Sequence, residues 1–363
     1  MTTPPTATAE ATAVPFPADN PTTVETTDQE IWRMENHLLR PEDVDTLCAH
    51  EFSSSGGIVA GLLPKRAVSF LIGDSGLGKS PLSYQLGLCI AAGIPFLAGM
   101  ETERGPVVYL DYENGLPESR ELRQQLVRFL ELAEAPKNFY VWTPDQGGLN
   151  LESVCKGKPK LVIVDSMRSH DPHFEKGEHA GEKMKQLNTL VREHGVAILV
   201  IHHIRKPGEN GVPRLDGKVG NGKDAKDTPL MLWLKETAGH SSIINQSHTR
   251  IAVDSPDGRS SKAEAALVLR WHQRIRGEAG ALYLERVCDG DGEALGYERI
   301  ADVALLGNSD QEVAFKQLPP QFTFKEAKGA YGKTDDPTRK FLVKCIQLGL
   351  IRQTGRGLYE RLG

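Results

Sequence analysis

The segment Gly73-Asp74-Ser75-Gly76-Leu77-Gly78-Lys79-Ser80 decides how this chain folds. It fits the pattern GxxxxGK[ST], in which backbone N–H groups surround a phosphate group at the start of a helix. The apolar run 67–72 before it predicts a strand, and the leucine-rich stretch after it predicts a helix on the sheet. In this context Lys79 reaches the β- and γ-phosphates and Ser80 binds Mg²⁺. We therefore expect ATP and Mg²⁺ as ligands.

Pro81 is an unusual neighbour for this loop. The residue after the Ser or Thr of such loops donates its backbone N–H to the α-phosphate, and proline has no N–H. Proline fits the first helical turn, where that N–H has no partner within the helix. We therefore expect an α-phosphate contact weaker by about 1.5–3 kcal/mol.

After the loop, apolar strands alternate with amphipathic helices. The pattern predicts helices over 117–135 and up to Gly195. The predicted strands lie at 107–110, 139–142, 161–164 and 196–201. Near-continuous apolar strands of this kind indicate an α/β fold, a mostly parallel sheet covered by helices on both faces. Beyond about residue 230 the pattern becomes strand-rich and typical of hairpins.

Composition divides the chain further. Residues 1–29 read as a disordered Thr/Pro/Ala-rich tail, because they lack large apolar groups. Residues 30–305 form the nucleotide-binding domain with an acidic lead-in, and residues 306–320 read as a linker. Residues 321–363 form a compact terminal module.

The net charge of −5 conceals a gradient. Residues 1–51 carry ten acidic and two basic side chains, whereas residues 320–363 carry four acidic and nine basic ones. A basic terminal module on an acidic chain favours local binding of nucleic acid, although a solvated surface explains the charge equally well. Scattered cysteines and the lack of a long apolar run predict a cytoplasmic protein without a membrane span.

Two carboxylates end predicted strands near the loop. Asp165 follows the strand 161–164, the position from which an acidic residue holds Mg²⁺. Glu113 follows the strand 107–110 and is the favoured group to orient the attacking water, with Asp111 as its competitor.

The pair His202-His203 ends the strand 196–201. Adjacent side chains point to opposite sides of a strand, which disfavours a shared metal ion, and the same doubt applies to His170–His173. A polar pair at this strand end suits a sensor of the γ-phosphate, and a buried histidine bonded to a carbonyl remains the alternative for one of the two.

Arg250 begins a predicted strand and is the candidate that reaches a neighbouring subunit's nucleotide. Arg205 and Arg214 compete for that role, and a surface ion pair is the commoner fate of any one arginine.

The terminal module has the pattern of a winged helix, with a second helix opening near Asp336 and a basic-tipped hairpin after it. Such modules bind either duplex DNA or protein. The candidate DNA contacts are Thr338, Arg339, Lys340, Lys344, Arg352 and Arg356.

From Gly61 through Val253 the chain resembles the RecA-like ATPases of the plasmid RepA replicative-helicase type, relatives of the DnaB helicases. The motifs that carry the resemblance are 73–80, 109–113, 161–166, 200–206 and 247–250. By resemblance, Glu113 is the catalytic glutamate, Asp165 the Mg²⁺-site aspartate, His203 the strand-end histidine and Arg250 the arginine acting across subunits. The resemblance also implies a homo-oligomer, a hexameric ring that holds single-stranded DNA.

The chain departs from that family at two places. Members of that family carry an Arg-Gly-Ser-Ser-type segment after the His-His strand, and this chain has residues 218–223 in its place. They also carry a lysine two positions before the arginine that acts across subunits, and this chain has His248 there. The expected function is a Mg²⁺-dependent ATPase acting on DNA, a RepA-like helicase of a plasmid, phage or other mobile element. The alternatives are a recombinase-like or regulatory ATPase without unwinding, and a nucleotide-sensing winged-helix regulator.

Overall fold

The structure is a computed structural model that describes residues 57–97, 99–205, 215, 229–255, 266–274, 279–289, 294–300, 306 and 309–362. The chain divides into two compact units, Met1–Ser55 and Gly56–Gly363, and the described residues all belong to the second. The predicted tail 1–29, the segment 218–223 and Arg214 lie outside them.

A nine-stranded sheet forms the centre of this unit, in the order β3-β2-β4-β5-β1-β6-β7-β8-β9. The strands from β3 to β6 in that order run parallel, and β6 to β9 run antiparallel. The strands are β1 (Val68–Gly73), β2 (Val107–Asp111), β3 (Phe139–Trp142), β4 (Leu161–Asp165), β5 (Ala197–His203), β6 (Thr249–Asp254), β7 (Ala266–Gln273), β8 (Ala279–Cys288) and β9 (Ala294–Arg299). The helices of this part are α1 (Lys79–Ala92), α2 (Leu116–Phe129), α3 (Leu151–Lys156), α4 (Met167–His170), α5 (Gly177–His194), α6 (Pro229–Leu234) and α7 (Ser241–Gln246).

The predicted α/β architecture is confirmed. The central strands β1, β4 and β5 are buried along nearly their whole length, which explains their continuous apolar sequences. One apolar core on each face of the sheet covers alternate residues of these strands. Gly195 ends α5 in the left-handed conformation, as its sequence position predicts. The helix α2 ends earlier than expected, at Phe129.

The hairpin β8–β9 packs on α1 and α2. The Gln85 side chain, buried on α1, donates from Nε2 to the Tyr297 carbonyl oxygen at 2.8 Å and accepts from the Tyr297 N–H at 2.9 Å. A Cβ at Gly296 would lie 2.3 Å from the Phe129 ring, so the close approach of β9 to α2 requires glycine there. These contacts fix β9 beside the phosphate loop.

The terminal module comprises α8 (Ser309–Gln317), β10 (Gln321–Thr323), α9 (Phe324–Tyr331), α10 (Asp335–Gln347), β11 (Ile351–Gly355) and β12 (Leu358–Arg361). Its strands form a separate antiparallel sheet in the order β10-β12-β11. The predicted linker 306–320 is wrong over most of its length, because α8 buries Ala314 and Phe315 in the module's own core.

The terminal module also contacts the hairpin β8–β9. Tyr283 of β8 packs against the module's core, and the Arg299 guanidinium of β9 donates to the Gly349 carbonyl oxygen. Within the described ranges, no helix combines the length and apolar character needed to cross a bilayer.

Candidate nucleotide site

The loop 73–80 connects β1 to α1, as predicted. Gly76 and Gly78 have φ values of +78° and +81°, in the region that favours glycine. A Cβ at position 78 would lie 1.8 Å from the Tyr297 hydroxyl oxygen, so a side chain there has no room. The N-terminus of α1 at Lys79 gives the loop the free N–H groups and the positive helix end that bind a phosphate.

Lys79 and Asp165 are both buried beside the loop. The Lys79 ammonium donates to the Asp74 carbonyl oxygen at 2.7 Å, and burial lowers the pKa of Lys79. Asp165 ends β4 and accepts a hydrogen bond from the Tyr109 hydroxyl at 2.6 Å. Burial raises the pKa of Asp165 to about 6, opposed by the Ser80 hydroxyl that bonds to it.

The donor set of Ser80 and Asp165 fits Mg²⁺, because both offer oxygen and Mg²⁺ takes few protein ligands, with phosphates and waters supplying the rest. No group of three or more His, Cys, Asp or Glu side chains gathers into a metal site in the described part of the chain. His170 and His173 belong to no such group among these residues.

Glu113 lies at the same end of the sheet and is held by three side chains. Its Oε1 accepts hydrogen bonds from Ser166 Oγ at 2.5 Å and Ser169 Oγ at 3.3 Å. His203 Nε2 lies 3.7 Å from the same oxygen. The His203 imidazole, with the Ser166 hydroxyl, lowers the pKa of Glu113 to about 2, so this carboxylate is ionised at neutral pH.

Asp111, the competitor of Glu113, has a different environment. It is fully buried and accepts hydrogen bonds from the Ser119 hydroxyl at 2.8 Å and from the Asn114 N–H at 2.9 Å. These bonds hold the turn between β2 and α2, and Asp111 does not line the cavity described below. This arrangement favours Glu113 over Asp111 as the group that faces a nucleotide.

The two strand-end histidines point in different directions. In the sheet register His203 pairs with Gly73, which places it beside the first residue of the loop. His202 is fully buried, and its Nε2 lies 2.9 Å from the Ala238 carbonyl oxygen. Burial lowers the pKa of His202 to about 4, so it is neutral at pH 7. His202 is therefore the core histidine of the pair, and the predicted sensor role is left to His203.

Arg250 does not have the position expected of an arginine that reaches another subunit. It is 6% exposed on β6, and its Nε donates to the Ile244 carbonyl oxygen at 2.9 Å. It pairs with Phe70 in the middle of β1, three residues before the first residue of the loop. The buried and bonded side chain argues against the predicted role. Arg205, its competitor, donates to the Lys235 carbonyl oxygen.

The candidate DNA contacts of the terminal module separate into two groups. Thr338 is fully buried and donates to the Thr334 carbonyl oxygen, which argues against a DNA contact there. Lys344 is half-buried and donates to the Leu306 carbonyl oxygen, and its DNA contact stays a prediction. Four side chains lie on the surface. Lys340 and Arg352 pair with Asp336 and Glu360, and Arg339 and Arg356 are exposed.

A cavity of about 700 Å³ joins these groups to residues that the sequence did not indicate. Ser80, Lys79, Glu113, Asp165 and His203 line it together. Its remaining wall includes Pro81, Leu122, Gln125, Arg286, Leu295, Gly296 and Tyr297. The hairpin residues carry no motif. The sequence signal for the docking of β9 is Gln85, a polar residue within the apolar helix α1.

Known proteins resemble parts of this chain. Residues 35–209 match the family model described as an AAA domain. The DNA repair and recombination protein RadA of Methanocorpusculum labreanum is 29% identical over 155 residues, which cover 35% of this chain and 45% of RadA. The chain thus spans under half the length of this curated relative.

Two solved structures share weak likeness. The RadB recombinase is 18% identical with a TM-score of 0.41, covering 65% of this chain and 91% of RadB. A KaiC-like protein from Pyrococcus horikoshii OT3 is 15% identical with a TM-score of 0.40, covering 67% and 93%. The family match spans the phosphate loop and the strands β1 to β5.

Proposed function

We propose that this chain is a Mg²⁺-dependent ATPase that acts on DNA. The observation that carries the proposal is the cavity in which Lys79, Asp165 and the Glu113–His203 pair converge on one phosphate loop. A binding loop alone needs only the lysine and the glycines. An ionised carboxylate held in the wall of the same cavity suits hydrolysis.

The residues have separate roles in this proposal. Lys79 and the loop N–H groups bind the phosphates, and Ser80 with Asp165 would hold the metal ion. Mg²⁺, when bound, neutralises charge on the β- and γ-phosphates. Glu113 accepts a hydrogen bond from the attacking water and orients it. Because its pKa lies near 2, Glu113 polarises the water and is a poor final acceptor of its proton.

His203 connects this chemistry to the rest of the chain. Its imidazole lies beside Glu113 and beside the first loop residue, so a change at the γ-phosphate alters its contacts. The next described backbone, Ile204 and Arg205, leads out of the sheet. This connection supports a sensor that reports nucleotide state to the segment after β5.

DNA as the substrate is supported by the likeness to RadA, a DNA repair and recombination protein. This likeness favours a recombinase-like ATPase. The motif resemblance to RepA-type helicases, together with the basic terminal module, favours a ring-forming helicase as the second candidate. The two candidates differ in whether DNA strands are separated.

Steady-state ATPase rates with and without single-stranded DNA test the proposal. We expect hydrolysis that requires Mg²⁺ and rises when single-stranded DNA is added, because DNA-acting ATPases couple turnover to their substrate. Strand displacement on forked DNA then separates the candidates, since only the helicase releases the displaced strand. If the chain binds nucleotide but hydrolyses it under none of these conditions, the result would instead favour the nucleotide-sensing regulator.

The terminal module is proposed to be a winged helix that binds duplex DNA. Its order of helix, strand, two helices and two strands, with a three-stranded antiparallel sheet, supports this proposal. The exposed Arg339 on α10 and Arg356 in the turn between β11 and β12 are the side chains best placed for phosphates.

The double substitution Arg339→Ala with Arg356→Ala should weaken duplex binding about tenfold and reduce the salt dependence of binding by about two phosphate contacts. Fluorescence anisotropy over a salt series measures both. The double substitution Arg120→Ala with Arg128→Ala removes the same charge from the exposed face of α2 and is the control. Equal losses in the two variants would mean that overall charge, rather than this surface, binds DNA.

A further inference from the structure

Arg286 lies on β8, in the antiparallel part of the sheet, and reaches the phosphate loop from there. In the strand order, the strands that carry Asp165 and His203 lie on one side of β1, and the hairpin β8–β9 lies on the other. Even so, Arg286 lines the same cavity as Ser80 and Pro81. A side chain from a hairpin about two hundred residues downstream thus faces the start of α1.

The position of Arg286 is fixed by its neighbour across the hairpin. Arg286 pairs in register with Tyr297, so the two side chains share one face of the hairpin. The Gln85 side chain holds the Tyr297 backbone by two hydrogen bonds. The Tyr297 hydroxyl lies against Gly78. The adjacent pair, Glu285 and Glu298, lies on the opposite face.

Among the described residues, the structure records no carboxylate paired with Arg286, and the acids that line the cavity are Glu113 and Asp165. Glu113 is held by Ser166, Ser169 and His203, and Asp165 by Tyr109. An arginine offers several N–H donors in a planar group that fits phosphate oxygens.

Pro81 supplies the reason for a further donor at this end of the site. It lies in the first turn of α1, directly after Ser80, and lacks the N–H that would face the phosphate nearest the nucleoside. Pro81 and Arg286 line the same cavity.

We infer that Arg286, from the chain's own β8, binds the α-phosphate of the nucleotide and replaces the backbone donor that Pro81 removes. The inference rests on the proposed nucleotide site. It adds a binding residue to that site, contributed by the same chain as the phosphate loop.

Calorimetric titration of the full chain with ADP and Mg²⁺ tests the inference. Arg286→Ala should weaken ADP binding about 10- to 100-fold, the effect of losing a charge-assisted contact. Arg286→Lys should recover part of that loss, because it keeps the charge but not the planar fork. Arg120→Ala, on an exposed part of α2, should bind ADP as the unmodified protein does.

Pro81→Ala completes a double-mutant cycle. If Arg286 replaces the missing N–H, restoring that N–H should improve affinity more in the Arg286→Ala background than in the unmodified chain. Equal gains in both backgrounds, or an Arg286→Ala variant within twofold of normal affinity, would overturn the inference. Thermal melting of each variant shows that it is folded, and Arg286→Gln serves if the alanine variant is not.

The two proposals fail differently. If the unmodified chain binds no nucleotide, or if Lys79→Ala binds as well as the unmodified chain, the nucleotide site itself is wrong and the inference falls with it. If binding depends on Lys79 and not on Arg286, the site stands and only the inference is lost.

Discussion

The substitution Glu113→Gln should reduce steady-state ATP hydrolysis about 10²- to 10⁴-fold while leaving ATP affinity within about threefold. The amide has nearly the shape of the carboxylate, and its carbonyl oxygen can still accept the Ser166 hydrogen bond that Glu113 Oε1 accepts at 2.5 Å. It cannot polarise water as an anion does. The result to measure is a variant that binds ATP, by calorimetry, and does not turn it over, by phosphate release.

Glu118→Gln is the matched control for this substitution. Glu118 is exposed in the first turn of α2, five positions from Glu113, and does not line the cavity. The same chemical change there should leave turnover unaltered. Full turnover in the Glu113→Gln variant would remove Glu113 from the role of orienting water, whereas loss of ATP binding would indicate a structural role instead.

The substitution Lys79→Ala should remove both functions at once. Lys79 is the cation at the phosphate loop, and loss of its charge-assisted contacts should lower ATP affinity about 10- to 100-fold. Its transition-state contribution should add a further fall in turnover of about 10²-fold. Nucleotide affinity by calorimetry and phosphate release at saturating ATP separate the two effects.

The Lys79→Ala variant should also keep its thermal stability without nucleotide. Burial lowers the pKa of Lys79, which means that the charged ammonium is costly in this position. Its removal leaves Asp165 buried without this cation, but burial raises the pKa of Asp165 to about 6 and the Tyr109 hydroxyl still donates to it. Lys156→Ala is the control, because Lys156 is an exposed lysine that pairs with Glu152 on α3. A large fall in melting temperature for Lys79→Ala would mean that the lost activity reflects unfolding. Normal ATP affinity in this variant would mean that the loop 73–80 is not the nucleotide site.

The predicted site residues that lie beside the phosphate loop share a physical cause for that position. The central strands are buried on both faces, so they appear as uninterrupted apolar runs, and the polar residue after each run lies at the end of a strand. Parallel strands end at one edge of the sheet, which brings Asp165, Glu113 and His203 to the loop. Local sequence is sufficient for each of these placements.

Side-chain direction explains why two of the predicted site residues are buried. Thr338 lies four residues before Leu342 and seven before Cys345, and both of these are buried. Residues at this spacing share one helix face, so Thr338 faces the core with them. Arg250 lies on β6, which has β1 on one side and β7 on the other, and residues of such an interior strand are covered on both faces.

Distance along the chain explains what the sequence could not indicate. The wall formed by Arg286 and Tyr297 depends on how the hairpin β8–β9 packs on α1 and α2. The contacts that fix it are those of Gln85 with Tyr297 and of Gly296 with Phe129. No local pattern encodes it, because the residues that meet are far apart in sequence.

The strand β9 carries one further consequence. Tyr297 touches the phosphate loop, and Arg299, two residues later on the same strand, bonds to Gly349 in the terminal module. These two contacts lie two residues apart on one strand, a separation of about 7 Å. Any displacement of β9 would therefore alter a contact with the phosphate loop and a contact with the terminal module at the same time.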